Sequence, residues 1–392
     1  MPRINLSYPV NIAIKLRNAQ RDITTPSRIR AQIVEALFLK RIIIALDKVG
    51  RLYIIFRGSR RLESAIQSED LAPNNVKRAT FLDGRSGFDV PGDFFLTNKL
   101  KLDGAIISIG KVPSIEGIIA LTSTSAYLVT FAFQAANVVE VNRCELLLTS
   151  ASNPIVKIIS LPNESCPDLS EVFLLNKCGT LFRLINIDHD AVVVDARIPK
   201  LEEMSLIRPV ITAIDLGKQL YCLPVDGGNL ICYEKISSCD EGSGLPPPNL
   251  LGYYFLCPIP ARLLPLDSSV QLISSTQFDS FSGNYEGFVL LLANRKMCLG
   301  EVDYGLIKWS HLILPFEKEI CFITASKGVA AFVTNNGECW ICPDFESKKV
   351  IEIAYPEGLR GNIAKVVLDS NKKCSALVIT KSGNLHHIET IL

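Results

Sequence analysis

Between Cys321 and Leu392 the chain carries one pattern twice, and a repeated unit restricts the fold more than any other feature of this sequence. The first copy runs Ile323-Thr-Ala-Ser-Lys-Gly-Val-Ala-Ala-Phe-Val-Thr-Asn-Asn-Gly-Glu-Cys-Trp-Ile-Cys342, the second from Val367 to Ile388. Each has a short apolar strand, a polar turn, a second apolar strand ending in Thr, a tight turn with Gly, and a third strand. Gly337 and Gly383 occupy the same slot, where a hairpin turn requires a positive φ.

Five further units precede these two. The first combines Ile33-Val-Glu-Ala-Leu-Phe38, Arg41-Ile-Ile-Ile-Ala-Leu46, the turn Asp47-Lys-Val-Gly50 and Arg51-Leu-Tyr-Ile-Ile-Phe56. In the second, Ser123-Thr-Ser125 replaces the turn glycine; in the fifth, Ala293-Asn-Arg295 does, and Asn294 is the residue there that best tolerates a positive φ. The apolar runs are short and alternate only in part, as in strands buried on both faces. The expected fold is all-β: a single seven-bladed β-propeller, its ring closed by the N-terminal strand Val10–Leu16 as the outer strand of the seventh blade. The blades are placed at about 30–61, 104–134, 154–187, 208–236, 268–303, 318–345 and 362–392. Residues 1–29 are the closing strand and connector, and 63–103 and 240–250 are loop excursions rich in turn signals. A tandem of β-sandwiches is the alternative, and it does not account for a seven-fold repeat.

The unit resembles the repeat of the regulator of chromosome condensation (RCC1-like) family of seven-bladed propellers. The similarity lies in Thr334-Asn-Asn-Gly337-Glu-Cys-Trp340, Thr380-Lys-Ser-Gly383-Asn-Leu-His386, Asp47-Lys-Val-Gly50-Arg-Leu-Tyr53 and Asn176-Lys-Cys-Gly179-Thr-Leu-Phe182. The resemblance implies a propeller, and by extension guanine-nucleotide exchange on a Ran-like small GTPase. The matching residues are structural, so no exchange residue is carried over. The Trp-Asp and Gly-His pairs of WD40 blades do not occur.

Charge is unevenly placed. Residues 1–61 hold 13 Lys and Arg against 3 acids, which leaves 28 against 37 in the remainder. Arg28, Arg30, Lys40, Arg41, Arg57, Arg60 and Arg61 form a candidate basic rim for an acidic protein tail, chromatin or nucleic acid. Exposed aromatics do not interleave with them, which argues against stacking of single strands.

Little else points to chemistry. Cys339-Trp-Ile-Cys342 is a C-x-x-C on an expected strand with no second pair to complete a zinc site, and is read as structural. Asp188-His-Asp190 is read as a solvated turn, and His386-His387 as one packed ring and one exposed. With 4 histidines, no Gly-x-Ser-x-Gly and no phosphate loop, neither catalytic residues, nor a cofactor, nor a metal site is expected. Twelve scattered cysteines without an apparent signal peptide suggest a reducing compartment, intracellular and either cytoplasmic or nuclear. Apolar runs are strand-length, so membrane insertion is not expected. The expected role is a non-catalytic scaffold whose partners are other protein subunits of a complex, with a small GTPase or nucleic acid as the alternatives.

Overall fold

The structure is a computed structural model of the 392-residue chain. It describes residues 10–12, 32–56, 93–95, 100, 102–113, 115–135, 138–160, 171–185, 199–204, 206–216, 219–226, 231–236, 255–258, 270–280, 283–292, 295–303, 306–326, 328–343, 348–353, 359–369 and 375–389. Among these there is no helix, and the strands form seven four-stranded antiparallel sheets.

The N-terminal strand β1 spans Val10–Ile12. The first sheet is β2 (Ile33–Phe38), β3 (Ile42–Asp47), β4 (Leu52–Phe56) and β5 (Asp93–Phe95). The second is β6 (Ser108–Val112), β7 (Gly117–Leu121), β8 (Ser125–Ala135) and β9 (Val138–Thr149). The third is β10 (Ile155–Ser160), β11 (Val172–Asn176), β12 (Leu181–Ile185) and β13 (Lys200–Glu203), and the fourth is β14 (Val210–Leu216), β15 (Gln219–Pro224), β16 (Ile231–Ile236) and β17 (Phe255–Pro258). The fifth is β18 (Val270–Ser280), β19 (Gly283–Leu292), β20 (Met297–Asp303) and β21 (Leu306–Leu312). The sixth is β22 (Ile320–Ser326), β23 (Val329–Thr334), β24 (Cys339–Cys342) and β25 (Ile351–Glu352). The seventh runs β26 (Ile363–Leu368), β27 (Ser375–Thr380), β28 (Leu385–Glu389) and then β1.

Each sheet is thus a simple meander, and the N-terminal strand is the outer strand of the last one, with Val10 opposite His387 and Ile12 opposite Leu385. This is the all-β, propeller-type organisation expected from the repeats. In every sheet the fourth strand lies beyond the three that the repeat marks. That of the first sheet, Asp93–Phe95, falls within the 63–103 stretch expected to be loop.

The chain divides into two compact units. One comprises residues 1–154 with 336–339 and 353–392, the other 155–335 with 340–352. In the first unit, β3 is buried along its whole length and serves two cores at once. Ile42, Ile44 and Leu46 pack with Ile118, Ala120 and Val129 of the second sheet. Ile43 and Ala45, which alternate with them, pack with Leu377, Ile379 and Leu385 of the seventh. The period of two along a strand sends neighbours to opposite faces, so one strand of continuous apolar sequence joins two sheets. In the second unit, Phe173, Leu175 and Leu181 of the third sheet pack with Leu220, Cys222 and Tyr233 of the fourth. Val289, Leu291 and Leu299 of the fifth likewise pack with Phe332 and Cys342 of the sixth.

The turn glycines explain how neighbouring sheets meet so closely. Gly50, Gly179, Gly337 and Gly383 all have φ between 80° and 86°. A Cβ on Gly179 would lie 2.8 Å from the Pro209 Cβ and the Val210 N, and one on Gly383 would lie 2.6 Å from the Gln32 Cα. The glycine carbonyl accepts a hydrogen bond from the first strand of the following sheet: Val210 N–H to Gly179 at 2.9 Å, Ile33 N–H to Gly383 at 2.9 Å, and Ile363 N–H to Gly337 at 3.1 Å. The requirement is therefore double, for a left-handed backbone and for an absent side chain.

Gly337 and Gly361 separate the two requirements. Both have φ of +80°, but a Cβ on Gly337 would lie 2.4 Å from the Gly361 carbonyl oxygen, whereas one on Gly361 meets nothing nearer than 3.6 Å. Gly361→Ala is expected to cost about 1 kcal/mol, the left-handed backbone penalty alone. Gly337→Ala is expected to cost roughly 3 kcal/mol or more, because backbone must also move. Urea midpoints of the two variants check this, and equal losses would show that close approach is unimportant.

Candidate interaction surface

The surface grows out of two devices that recur from sheet to sheet. The first is a bulge after the opening residue of the first strand. Register shifts occur between Ile33 and Glu35, Ile155 and Lys157, Val210 and Thr212, Val270 and Leu272, Ile320 and Phe322, and Ile363 and Lys365. A bulge adds one unpaired residue and re-aims its side chain. In the third and fourth sheets the re-aimed residues are Val156 and Ile211, and they stand 51% and 47% exposed.

The second device is a buried polar residue that opens the turn between the second and third strands. Asp47 Oδ1 accepts from the Val49 and Arg51 N–H groups at 3.0 and 2.8 Å, Asn176 Oδ1 from Thr180 N–H at 2.8 Å, and Thr380 Oγ1 from Asn384 N–H at 2.9 Å. These side chains satisfy turn donors that burial would otherwise leave costly. The next turn residue donates back to the residue before the first strand of the same sheet: Lys48 to Gln32, Val225 to Pro209, Asn335 to Glu319 and Lys381 to Asn362, at 2.7–3.0 Å. Turn tips and strand starts are therefore side by side.

Together these devices assemble an apolar patch on the third and fourth sheets. Val225 N–H donates to the Pro209 carbonyl at 3.0 Å, which brings the turn tip alongside the segment that carries Ile207 and Ile211. A 2.7 Å bond from Lys157 Nζ to Thr212 Oγ1 joins the two first strands, which carry Val156 and Ile211. Ile207 and Val225 are 62% and 55% exposed. Arg208 and Asp226, paired at 3.2 Å and both well exposed, give the patch a charged margin. Four exposed branched aliphatics on two adjoining first strands and one turn tip differ from the scattered single residues that any surface carries. A smaller exposed pair, Val49 and Ile107, flanks the place where Gly50 packs against Ala105 and Ile106.

First strands in the other unit are also tied together by polar contacts. Glu35 of β2 accepts from Ser108 Oγ at 3.0 Å and Ile109 N–H at 2.8 Å on β6, and faces Lys365 Nζ of β26 at 4.0 Å.

The second sheet solves its turn without glycine. Thr122 and Ser125 bracket a two-residue loop, and Asp103 accepts from Thr122 Oγ1 at 2.6 Å, from Thr124 Oγ1 at 2.5 Å, and from Ser125 Oγ. Hydroxyl donation, Ser125 first, holds the Asp103 carboxyl down at about 2. Nothing in the repeat pattern marks Asp103, which precedes its strand by five residues.

The sequence-derived candidates are distributed as follows. Lys40 and Arg41 form the exposed turn between β2 and β3. They lie close enough to Glu116 that their charges, with that of Lys111, oppose the rise that burial imposes on its carboxyl. An internal acid thus already serves these two cations. Arg28, Arg30, Arg57, Arg60 and Arg61 lie outside the described residues, as does Asp188-His-Asp190. Cys339 and Cys342 are both buried on β24 and form no disulfide, and burial pushes the Cys339 thiol far up. His386 is buried on β28, which lowers its pKa, and the side chain of His387 is outside the described set. In the fifth sheet Arg295 has a positive φ of 65°, and Asn294 lies outside the described residues. No described helix is long and apolar enough to cross a membrane.

No family model matches the chain, and no curated protein is similar to it in sequence. Its strand arrangement is similar to those of several solved structures. One is yeast RCC1 (Prp20), solved with Kap60 bound, at 10% identity over 92% of this chain and 81% of that one, with a TM-score of 0.46. Another is Sqt1 of Saccharomyces cerevisiae, at 9% identity, 92% and 84% coverage and a TM-score of 0.47. A third is BBS1N, solved in complex with ARL6DN, at 10% identity, 93% and 98% coverage and a TM-score of 0.48. RCC1 is the family that the repeat resembles. Likeness at this level assigns neither a partner nor an activity.

Asp103 yields a pH prediction. Its folded pKa is depressed from 3.8 to about 2, so the carboxylate contributes stability that is fully present above about pH 4 and is lost as pH falls towards 2. Asp103→Asn is expected to be less stable than wild type at pH 6, with the gap closing between pH 4 and 2. Urea unfolding across that range reads the gap, and a constant difference would contradict the assignment.

Proposed function

We propose that the protein is a non-catalytic interaction subunit, a propeller-type scaffold that holds another protein of a larger assembly against the edge of its third and fourth sheets. The observation that carries this reading is the exposure of four branched aliphatics, Val156, Ile207, Ile211 and Val225, on these two sheets. Transfer of such surface out of water gains about 25 cal/mol per Å² of apolar area, and the core of a protein interface is apolar within a polar rim. The backbone that carries these residues is held by sheet pairing, by the Val225–Pro209 bond and by the Lys157–Thr212 contact. Little ordering entropy is then lost on association. A composition 48% hydrophobic fits a chain with partner surface to cover.

The test is affinity purification of the tagged chain from its native cells, with wild type beside the Ile207→Asp, Val225→Asp double variant. Both side chains are more than half exposed, so the variant should unfold within about 0.5 kcal/mol of wild type per site. Wild type is expected to bring down a partner in stoichiometric amount, and the variant to lose it. Equal recovery by both, or a wild-type chain that purifies alone, would sink the proposal.

A further inference from the structure

Among the described residues, the first, third, sixth and seventh sheets place glycine in the left-handed slot of the turn between the second and third strands, and the fifth sheet places an arginine there. The equivalence is set by hydrogen bonds. Gly50 N–H bonds to the Asp47 carbonyl at 3.0 Å and Asp47 N–H to the Arg51 carbonyl at 3.0 Å; Arg295 N–H bonds to Leu292 at 2.9 Å and Leu292 N–H to Lys296 at 3.0 Å. Arg295 has φ of 65°, a backbone region that L side chains adopt at a cost. Such outliers cluster at binding sites, where the geometry has a use.

At Gly50, Gly179 and Gly383, the space a side chain would need is filled by the chain that leads into the next sheet. Arg295 carries a side chain in that slot and lines a pocket. The turn and the segment leading to β22 face each other across an open pocket of about 540 Å³. Its floor is apolar: Met297 and Leu312 are buried, and Phe316 stacks at 4.6 Å on Trp340. Its rim carries three cations, Arg295, Lys296 and Lys318, against the single acid Glu317, with His311 the remaining titratable group. In a chain whose net charge is only +1, this is a local concentration of positive charge above a greasy floor.

We propose that this pocket binds an acidic segment of a partner polypeptide, with an aliphatic or aromatic side chain seated on Met297, Leu312 and Phe316 and a carboxylate paired with the Arg295 guanidinium. Charge complementarity selects the acidic class, and a planar guanidinium matches a carboxylate in two-point geometry. A polypeptide suits the site because β21, which contributes Leu312, is the outer strand of its sheet, so main-chain groups are presented beside the pocket. The site uses other residues than the apolar patch on the third and fourth sheets and stands whether or not that patch takes a partner.

The test uses the purified full chain and three fluorescein-labelled dodecapeptides of matched leucine content, one built on Glu, one on Gln and one on Lys. Anisotropy reads binding, and the fluorescence of Trp340, stacked on a pocket residue, reads occupancy. The Glu peptide is expected to bind about tenfold more tightly than the Gln peptide, and to weaken as salt is raised. Arg295→Gly keeps the turn, since glycine favours that φ. It should lower affinity for the Glu peptide about tenfold without lowering the thermal midpoint. The Ile207→Asp, Val225→Asp variant should bind the Glu peptide as wild type does. Failure of the Glu peptide to bind, equal binding by the Lys peptide, or unchanged affinity in Arg295→Gly would overturn the proposal. A full tryptophan response to citrate alone, with no peptide bound, would also overturn it, assigning the pocket to a small polycarboxylate.

Discussion

The hydrogen bond from the first strand of one sheet to the carbonyl of a left-handed glycine in the sheet before it is the contact on which the rest of the structure depends. It fixes how far apart neighbouring sheets sit, because the bonds from Val210 to Gly179 and from Ile33 to Gly383 are both 2.9 Å long and leave no room for a Cβ. Only at that spacing can a strand such as β3 be buried on both faces, with Ile44 serving one core and Ala45 another. A four-stranded sheet of this size has too little one-sided core to stand alone. Its stability comes from neighbours, and the glycine turn sets their distance.

The bulge in the first strands turns this packing scheme into a surface. A regular strand alternates its side chains, and residues three apart point to opposite faces. With one extra residue inserted, Ile33 and Ala36 are both buried, as are Ile320 and Ile323, and Ile363 and Val366. The inserted residue leaves the alternation: Val34 packs partly against a core, whereas Val156 and Ile211 are exposed. Where it is Val156 or Ile211 the consequence is an apolar side chain in water, next to the turn tips that the same backbone bonds bring alongside.

How much of this was legible follows from the same geometry. The turn glycines announce themselves, since a polar residue, two variable positions and Gly recur at Asp47–Gly50, Asn176–Gly179, Thr334–Gly337 and Thr380–Gly383. They led directly to the repeat, the all-β class and the pairing of the N-terminal strand with the last sheet. The fourth strands were not legible. Lys200–Glu203 and Ile351–Glu352 lie on outer edges, where neither burial nor alternation is required, and Asp93–Phe95 follows a long polar stretch. The bulge hid the period of the first strands, and with it the exposure of Val156 and Ile211. Asp103 escaped notice because its three hydroxyl partners are a turn away in another strand pair. The basic rim drew attention by charge alone, and its two described members, Lys40 and Arg41, sit beside Glu116.

Departures from the repeat are more informative than its conservation along the chain. Two sheets lack the turn glycine, and they depart for different physical reasons. In the second, a shorter loop removes the need for a left-handed residue, and Asp103 replaces backbone closeness with three hydroxyl bonds; the departure is compensated inside the fold and calls for no partner. In the fifth, the left-handed conformation is kept and the residue that suits it is not. Arg295 retains the cost of the left-handed backbone and lines a pocket. A compensated departure is structural, whereas an uncompensated one leaves an opening, here lined by cations over Met297 and Phe316. The argument from fold to function therefore runs through the positions where a repeated solution is available in the same chain and has not been used.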